Sequence, residues 1–321
     1  RLVPEPNSTF DPEKIDRPHW VMAVRELFRQ QGLNPKKVKT ICTGISGASA
    51  SIKQITTMEM PSDELEAAMT FEARKHIPMD GTDAVIDFQI LGSNQREVDK
   101  IDVGLVACTK GVLTSHMDLL KECGLKPGVV DTYPIAMSNA FTFIKTMPDD
   151  GLVVILDIGA VSSSLVVYGS GEQFFTRDLP IGGHHFVKEL SDRKEISYTE
   201  AQDVLYKDGL AASISNSTDA PLTSVGIAER TIYDNLVEDL RRSLRFYAKQ
   251  TGQSFFLKIF LSGGGAETPG LTEFVSSKLN IECDLFDPFE NVNGGENISV
   301  NNKSQYTIAL GLGIRGGMAN E

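Results

Sequence analysis

This sequence of 321 residues is poor in the residue types that build redox and metal sites. Its four cysteines show no C-x-x-C spacing, so we interpret them as reduced core residues rather than as a zinc site or a disulfide framework. Of the five histidines, only His184 and His185 are neighbours. Adjacent residues diverge on a helix and on a strand, so we expect a solvated surface pair there and no metal site. The cysteines are Cys42, Cys108, Cys123 and Cys283.

Basic residues and long apolar runs are also scarce. The chain has 31 Lys and Arg against 43 Asp and Glu, a formal net charge of −12. This balance argues against a duplex nucleic-acid binder and against charge-driven adsorption to anionic lipid. No apolar run reaches membrane-spanning length, because Asp157 interrupts the best candidate. The sequence begins with Arg1 and has no signal-peptide pattern, so we expect a fragment or a processed chain.

The most informative segment is residues 152–168, in which two apolar, β-branched runs flank a short polar turn. The runs predict adjacent antiparallel strands of a buried sheet. Gly159 lets a backbone N–H approach a ligand, and the hydroxyls of residues 162–164 suit phosphate oxygens. Asp157, at the end of a buried strand, suits the water shell of Mg²⁺. The segment therefore suggests a nucleoside triphosphate site. An ordinary hairpin, whose Asp and Ser satisfy turn backbone groups, is the alternative.

The first half of the chain predicts a compact module at about residues 50–125. Its pattern is strand, helix, strand, strand, helix, and the first helix follows Ser62, which can cap it. We expect this module to be inserted into a larger domain. Residues 148–151 form the clearest linker and divide a first region, 1–150, from a second, 151–321.

The second half predicts a mixed α/β domain that begins with an antiparallel meander. A buried strand at 255–261 precedes the glycine-rich turn at 262–271, and both glycine turns lie at strand ends, where open α/β sheets bind ligands. Neither turn matches the P-loop or the Rossmann motif. Other expected elements are a strand at 172–179, helices at 186–190, 200–207, 227–250 and 306–318, and a mobile loop at 211–225.

An ordered series of motifs carries a family resemblance over nearly the whole chain. It runs D-I-G-x-x-x-S, P-I-G-G, D-L-R-R-S-L-R-F-Y, L-S-G-G-G-A-x-x-P-G-L and A-L-G-L-G-I-R. This order resembles the actin-like ATPase superfamily and, within it, the FtsA/PilM family. Residues 71–78 resemble the E-A-x-x-x-I-P signature of the pilus-assembly branch, and residues 287–292 resemble its P-F segment.

The resemblance implies an α/β, actin-like ATPase (ribonuclease H-like) fold with two lobes and with ATP and Mg²⁺ between them. Region 1–150 would be the first lobe, lacking its first phosphate-loop hairpin, with the family's subdomain inserted at about 50–125. Region 151–321 would be the second lobe. The implied nucleotide contacts are Asp157 (also Mg²⁺, through water), Gly159, Ala160, Ser162 and Ser163 in a phosphate loop, Gly263, Gly264 and Gly265 in the adenosine motif, and Asp239 in the long helix.

Departures from the family pattern weaken the expectation of catalysis. Without the first phosphate loop, half of the phosphate cradle is missing. The helix that usually reads A-E-x-x-K appears as residues 201–205, without both charged groups unless Lys207 substitutes from the next turn. Val187 stands where a Thr commonly follows the G-G pair. We therefore expect nucleotide binding with weak ATPase activity at most, and we assign no catalytic residue.

The function implied by the resemblance is a cytoplasmic, ATP-binding scaffold of the type IV pilus inner-membrane assembly platform. Its partner would be the cytoplasmic peptide of a PilN-like membrane protein, gripped beside the helix at 63–76. Other platform proteins, the assembly ATPase and self-association are further expected interactions. Attachment to the inner membrane would run through these partners. One alternative is an FtsA-like filament-forming division protein, although residues 316–321 are too short and polar for a membrane helix. A small-molecule kinase on the same superfold is the other, and no additional motif supports it.

Overall fold

The computed structural model describes residues 14–46, 49–76, 84–94, 96–214 and 230–318, and its strands form three separate sheets. The strands are β1 (Cys42–Ile45), β2 (Ala50–Met58), β3 (Ala84–Ser93), β4 (Lys100–Thr109), β5 (Val129–Thr132), β6 (Leu152–Ile158), β7 (Ser163–Tyr168), β8 (Phe175–Leu179), β9 (Phe256–Ser262) and β10 (Glu282–Leu285). The helices are α1 (Arg17–Gln30), α2 (Ser62–His76), α3 (Lys110–Glu122), α4 (Tyr133–Ile144), α5 (Gly183–Lys194), α6 (Tyr198–Asp208), α7 (Leu210–Ile214), α8 (Ile232–Thr251), α9 (Leu271–Leu279) and α10 (Thr307–Met318).

The largest sheet has the strand order β10-β9-β6-β7-β8. Strand β6 is antiparallel to β7 and parallel to β9, and β7 is antiparallel to β8. The predicted antiparallel meander is therefore present. All seven residues of β6 are buried, which explains why its sequence is an apolar run interrupted only by Asp157. A strand of this kind is covered on both faces.

Alternating residues of β6 contribute to two different cores. Val154 and Leu156 face the cluster that α5 and α8 complete, whereas Val153 and Ile155 face α4. Full burial of a side chain the size of Leu156 contributes about 2 kcal/mol through the hydrophobic effect. Asp157 continues the α4-facing series, so the fold places its carboxylate on the side of α4.

The small parallel sheet of β1 and β5 is joined to the largest sheet through α4 and α10. Small residues permit this close approach. A Cβ placed on Gly311 of α10 would lie 1.8 Å from the carbonyl oxygen of Ala136 in α4. Similarly, a Cβ on Gly44 of β1 would lie 2.9 Å from the ring of Tyr133. Gly311 is thus required by the close packing of α10 on α4.

The third sheet, with the order β2-β4-β3, is antiparallel and belongs to the predicted inserted module. Its strands, with α2 and α3, follow the expected order of strand, helix, strand, strand, helix. Leu65 and Met69 of α2 pack on Val103 and Leu105 of β4, and this contact forms the core of the module. One helix therefore covers one face of this sheet.

Some element boundaries differ from those predicted. Helix α5 begins at Gly183 instead of residue 186, and β8 begins at Phe175 instead of residue 172. Strand β1 begins at Cys42, after a short 3₁₀ turn at Pro35–Lys37. Residues 1–13 and residues 215–229, which include most of the expected mobile loop, lie outside the described residues.

The four cysteines, expected to be core residues, are mostly buried. All four cysteines are free thiols, three of them buried and Cys42 half-buried. Across the residues that the structure describes, no helix combines the length and the apolar character needed to span a membrane.

Candidate functional site

The centre of the site is Asp157, which is 7 % exposed at the end of β6. The hydroxyl of Ser262 in β9 donates to its Oδ1 over 3.1 Å. Burial raises the pKa of the Asp157 carboxyl to about 6, and the hydrogen bond from Ser262 opposes this rise. A buried carboxylate with one hydrogen bond is costly unless a cation compensates its charge. The environment of Asp157 therefore suits a position close to a bound cation.

The turn at 159–162, which we call the phosphate turn, joins β6 to β7. The N–H of Gly159 donates to the carbonyl of Ser162 over 3.0 Å, and a Cβ on Gly159 would lie 2.8 Å from that same oxygen. Within the described part of the chain, the N–H groups of Ala160, Val161 and Ser162 have no acceptor. Successive unpaired N–H groups in a tight turn form a concavity that binds anions. The turn thus offers backbone donors to phosphate oxygens.

The start of α5 packs directly on the phosphate turn. The N–H of Gly183 donates to the carbonyl of Gly159, and the N–H of His184 donates to that of Ala160, each over 2.8 Å. A Cβ on Gly182 would lie 2.6 Å from the Ala160 oxygen, so no larger residue fits there. The carbonyls of the turn are therefore committed to the helix start, and its N–H groups stay available. The positive end of the α5 dipole lies beside the same turn.

The second glycine turn, residues 263–265, lies alongside the end of β6. The N–H of Gly265 donates to the carbonyl of Ile158 over 2.8 Å. Gly263 has a φ of +84°, and a Cβ on it would lie 2.5 Å from the Ile158 oxygen. Gly264 between them is exposed, and a Cβ on it would meet no atom within 4 Å. The structure thus brings Gly159, Gly182, Gly183 and this turn together at one end of the sheet.

The three serines after the phosphate turn have different environments. Ser163 is fully buried, and its hydroxyl donates to the carbonyl of Ile181 over 2.5 Å. The hydroxyl of Ser164 donates to Asp178 over 2.9 Å. The hydroxyl of Ser162 is half-buried and makes no hydrogen bond to any described residue. Of the two serines expected to contact phosphate, Ser162 therefore has the available hydroxyl, whereas that of Ser163 holds the hairpin in place.

A polar row that the sequence analysis did not identify crosses the sheet beside the turns. Asp157 pairs in register with Ser262 on one side and with Ser164 on the other, and Ser164 pairs with Asp178. Residues in register point to the same face of a sheet. Burial raises the pKa of Asp178 as it does that of Asp157. Pairing the two strands of the predicted hairpin outward from its turn would have revealed Ser164 opposite Asp157.

The start of α4 lies close to Asp157. The ring of Tyr133 lies against Gly44, and the pKa of its phenol is raised by burial and by the charge of Asp157. Close to it in sequence, Asp131 is buried, with its Oδ2 3.9 Å from Nε of Arg315. Burial raises the pKa of the Asp131 carboxyl. Tyr133 thus places a neutral phenol within electrostatic reach of Asp157.

Two other sequence expectations have different outcomes. Asp239 lies on α8, where its carboxylate is 3.5 Å from Nη1 of Arg242, and no described hydrogen bond or ion pair connects it to the glycine turns. Its role in nucleotide contact stays a prediction. The expectation of a solvated histidine pair was wrong. His184 lies against the ring of Tyr198, and Nδ1 of His185 accepts the N–H of Gly182, since both histidines begin α5.

Among the described residues, no group of three His, Cys, Asp or Glu side chains is arranged to hold a metal ion. The expectation from the sequence was a cation held through water and not one caged by protein side chains. Asp157 is the residue whose carboxylate fits that position. Because Mg²⁺ keeps most of its water in such sites, one buried carboxylate is sufficient to orient it.

The fold and the turns define the class of the protein. A sheet with an antiparallel meander, two glycine turns at the end of β6 and a second, smaller sheet across α4 and α10 constitute an actin-like fold. The chain superposes with a TM-score of 0.75 on a structure described as "PilM-PilN type IV pilus biogenesis complex", over 98 % of this chain and 90 % of that one, at 22 % identity. Residues 9–317 match the family described as "Type IV pilus assembly protein PilM", and the chain belongs to that family.

Curated relatives agree with this class. The cell division protein FtsA of Staphylococcus epidermidis is 22 % identical over 205 residues, which cover 59 % of this chain and 43 % of that protein. FtsA of Neisseria meningitidis is 22 % identical over 231 residues, which cover 66 % of this chain and 55 % of that protein. The chain spans about half the length of these curated relatives.

Proposed function

We propose that this protein binds Mg·ATP at the two glycine turns and acts as a nucleotide-responsive scaffold of the type IV pilus assembly platform at the cytoplasmic side of the inner membrane. The observation that carries the nucleotide part is the convergence of unpaired N–H groups and a buried carboxylate at the end of β6. The phosphate turn supplies three such N–H groups, and Asp157 supplies the charge. The family to which the chain belongs supports the pilus part.

Each part of the site has a distinct role in this proposal. The N–H groups of the phosphate turn and the hydroxyl of Ser162 would donate to phosphate oxygens. Asp157 would orient the water molecules of Mg²⁺, and the bound cation would neutralise the phosphate charge. The exposed backbone at Gly264 would lie under the nucleoside, where a side chain would obstruct close approach. These contacts are made mainly by backbone groups, which hold phosphate without acting as acids or bases.

Binding with slow hydrolysis is the behaviour that these groups favour. A general base near the γ-phosphate would need a pKa near the working pH and access to the attacking water. Tyr133, the tyrosine close to Asp157, has a raised pKa and remains a neutral phenol. Asp157 is occupied by Ser262 and, in this proposal, by the Mg²⁺ water shell. We therefore infer a site in which nucleotide occupancy matters more than turnover.

The nucleotide part can be tested by isothermal titration calorimetry with Mg·ATP. We expect the native protein to bind, and Gly264→Ala to weaken binding, because its methyl group meets no protein atom and would lie where the nucleoside is proposed to approach. Gly111→Ala, in the first turn of α3, is the matched control, since its methyl group also meets no atom within 4 Å and Gly111 lies outside the two glycine turns. Absence of binding by the native protein, at concentrations up to millimolar, would contradict the proposal.

The partner proposed for the scaffold is a PilN-like membrane protein whose cytoplasmic peptide binds beside α2. The structural neighbour described above is a PilM–PilN complex, and the match extends over nearly all of this chain. The inserted module also exposes large apolar side chains, with Phe71 of α2 59 % exposed and Ile90 and Leu91 of β3 about as much, at 50 % and 54 %. Large apolar side chains that remain exposed are candidates for contact with a partner.

A peptide titration tests this partner. A labelled peptide with the cytoplasmic N-terminal sequence of a PilN-like protein is expected to bind the native chain, and Phe71→Ala is expected to weaken binding about tenfold. Phe143→Ala is the matched control, because Phe143 is equally exposed, at 60 %, but lies on α4. Equal loss in both variants, or no loss in Phe71→Ala, would contradict docking beside α2.

A further inference from the structure

The hairpin of β7 and β8 has its two ends at two different places in the molecule. Its open end carries the phosphate turn before Ser163 and the start of α5 after Leu179. Its closed end is the turn at 169–174. The six residues of β7 separate these ends by about 20 Å, at about 3.3 Å per residue. A single supersecondary unit therefore extends from the nucleotide site to a distant surface.

The closed end contacts the inserted module. Oε1 of Gln54, in β2, accepts the N–H of Phe174 over 2.8 Å. Beside it, Nη2 of Arg96 lies 3.2 Å from Oε2 of Glu172, which is only 18 % exposed. These two contacts join segments 120 and 76 residues apart in sequence. We call them the latch. They connect the sheet that carries the proposed peptide surface to the sheet that carries the phosphate turn.

The closed end is also fixed to its own sheet, so that it is not a loose tip. The hydroxyl of Tyr247 in α8 donates to the carbonyl of Gln173 over 3.0 Å. The ring of Phe174 contacts that of Tyr168 at a centroid distance of 5.9 Å. A turn held in this way moves with β7 and β8 as one body. It does not absorb a displacement by local rearrangement.

The open end is equally well fixed to the phosphate turn. The buried hydroxyl of Ser163 bridges to the carbonyl of Ile181, and the N–H of Gly183 bridges to Gly159. Five register pairs connect the two strands between these ends. A shift of the phosphate turn on ligand binding therefore reorients the whole hairpin. Such a shift changes the geometry of the latch.

We propose that the β7–β8 hairpin couples the phosphate turn to the inserted module through the latch of Gln54, Arg96, Glu172 and Phe174. This inference rests on the proposed function, because it makes nucleotide occupancy and the docking of a peptide partner sensitive to each other. The coupling involves two states of the molecule, one in which the latch contacts are formed and one in which they are broken. A nucleotide that binds them with different affinity changes peptide affinity, and the peptide changes nucleotide affinity by the same factor.

Hydrogen–deuterium exchange on the intact chain tests the coupling. In the native protein, Mg·ATP is expected to slow exchange at the phosphate turn and also, on the order of fivefold, at the N–H of Phe174 and in β2. In Gln54→Ala, which removes the acceptor, slowing is expected at the phosphate turn only. Gln89→Ala is the matched control. Gln54 and Gln89 pair in register with the same residue, Gly104, so the control removes an identical side chain from the same sheet face.

A second arm needs no nucleotide. Ser163→Ala removes the hydrogen bond to Ile181 at the open end, and we expect faster exchange both at the open end and at the latch. In the double variant Ser163→Ala, Gln54→Ala, we expect the Ser163 substitution to have no further effect on exchange at the latch. If Mg·ATP protects the phosphate turn but never the latch, the coupling is wrong and nucleotide binding stands. If Mg·ATP protects nothing while Ser163→Ala still affects the latch, nucleotide binding is wrong and the coupling stands. Unchanged exchange at the latch in both arms overturns the coupling.

Discussion

The sheet that carries the glycine turns and the sheet of the inserted module are built on opposite principles. Strand β6 is buried along its whole length between two cores, and its polar groups are confined to the end that forms the site. In the inserted sheet, α2 covers one face, and Ile90 and Leu91 at the edge remain half-exposed. The difference indicates a division of labour. In the proposed function, the rigid frame would hold backbone groups for the nucleotide, and the thinner layer would keep apolar surface for the peptide partner.

The largest effect on stability is expected at Gly263, and it tests whether the frame around the glycine turns is rigid. Gly263→Ala would require an alanine in the left-handed backbone conformation and would place its methyl group 2.5 Å from the Ile158 carbonyl oxygen. The free energy of unfolding should therefore fall by about 4 kcal/mol. Chemical denaturation measures the loss. Gly264→Ala should change stability by less than about 0.5 kcal/mol. If the two variants have equal stability, the frame around the site is not rigid.

Core truncations compare the two sheets directly. Leu156→Ala in β6 should lower the free energy of unfolding by about 3 to 4 kcal/mol and shift the main transition. Leu105→Ala, at an equally buried position in the inserted sheet, should mainly shift an earlier, smaller transition, because the module has its own core. Amide exchange resolved by segment measures both. A common shift of one transition by both variants would show that the sheets unfold together.

Asp157→Asn distinguishes the loss of stability caused by the buried charge from the contribution of that charge to Mg·ATP binding. The folded pKa of about 6 lies above the ordinary 3.8, so the native protein loses stability as pH rises from about 4 to 6, by on the order of 3 kcal/mol. The variant keeps an acceptor for Ser262 and has no such loss. We expect it to be more stable than the native protein at pH 7, equally stable near pH 4, and at least tenfold weaker in Mg·ATP affinity. If the free energies of unfolding of the native protein and the variant changed with pH in the same way, the raised pKa would not belong to Asp157.

The smallest effect distinguishes neighbouring serines. Ser163→Ala leaves the buried Ile181 carbonyl without its hydroxyl partner and should cost about 1 to 2 kcal/mol of stability. Ser162→Ala should leave stability unchanged and weaken Mg·ATP binding about threefold, since its hydroxyl has no partner among the described residues. Stability and affinity measured on both variants decide the assignment. The opposite pattern would reverse the roles of the two serines.

Much of this architecture could be predicted from local pattern. The apolar, β-branched runs and the turn residues of the hairpin specified β6 and β7. Ser62 correctly marked the start of α2. In each case, the signal lies within a few residues, where periodicity and turn chemistry act directly.

The remaining features depend on contacts between distant segments. Ser163 could not be distinguished from Ser162, because only the return of the chain at Ile181 gives it a partner. The environment of His184 and His185 was predicted wrongly. The start of α5 is fixed by carbonyls of the phosphate turn, which precedes the whole β7–β8 hairpin in the sequence. The latch likewise joins β2 to a turn 120 residues away. Such pairings follow from topology, which local pattern does not determine.

The capping of α5 by the phosphate turn has a consequence for how such a protein can diverge. Because the carbonyls of Gly159 and Ala160 accept from the start of α5, the proposed contacts to phosphate would come from peptide N–H groups, which every residue except proline carries. Side chains at the turn could then change over time without abolishing these contacts, provided that the tightly packed glycines remain. The loss of a catalytic side chain would likewise leave this arrangement of N–H groups intact.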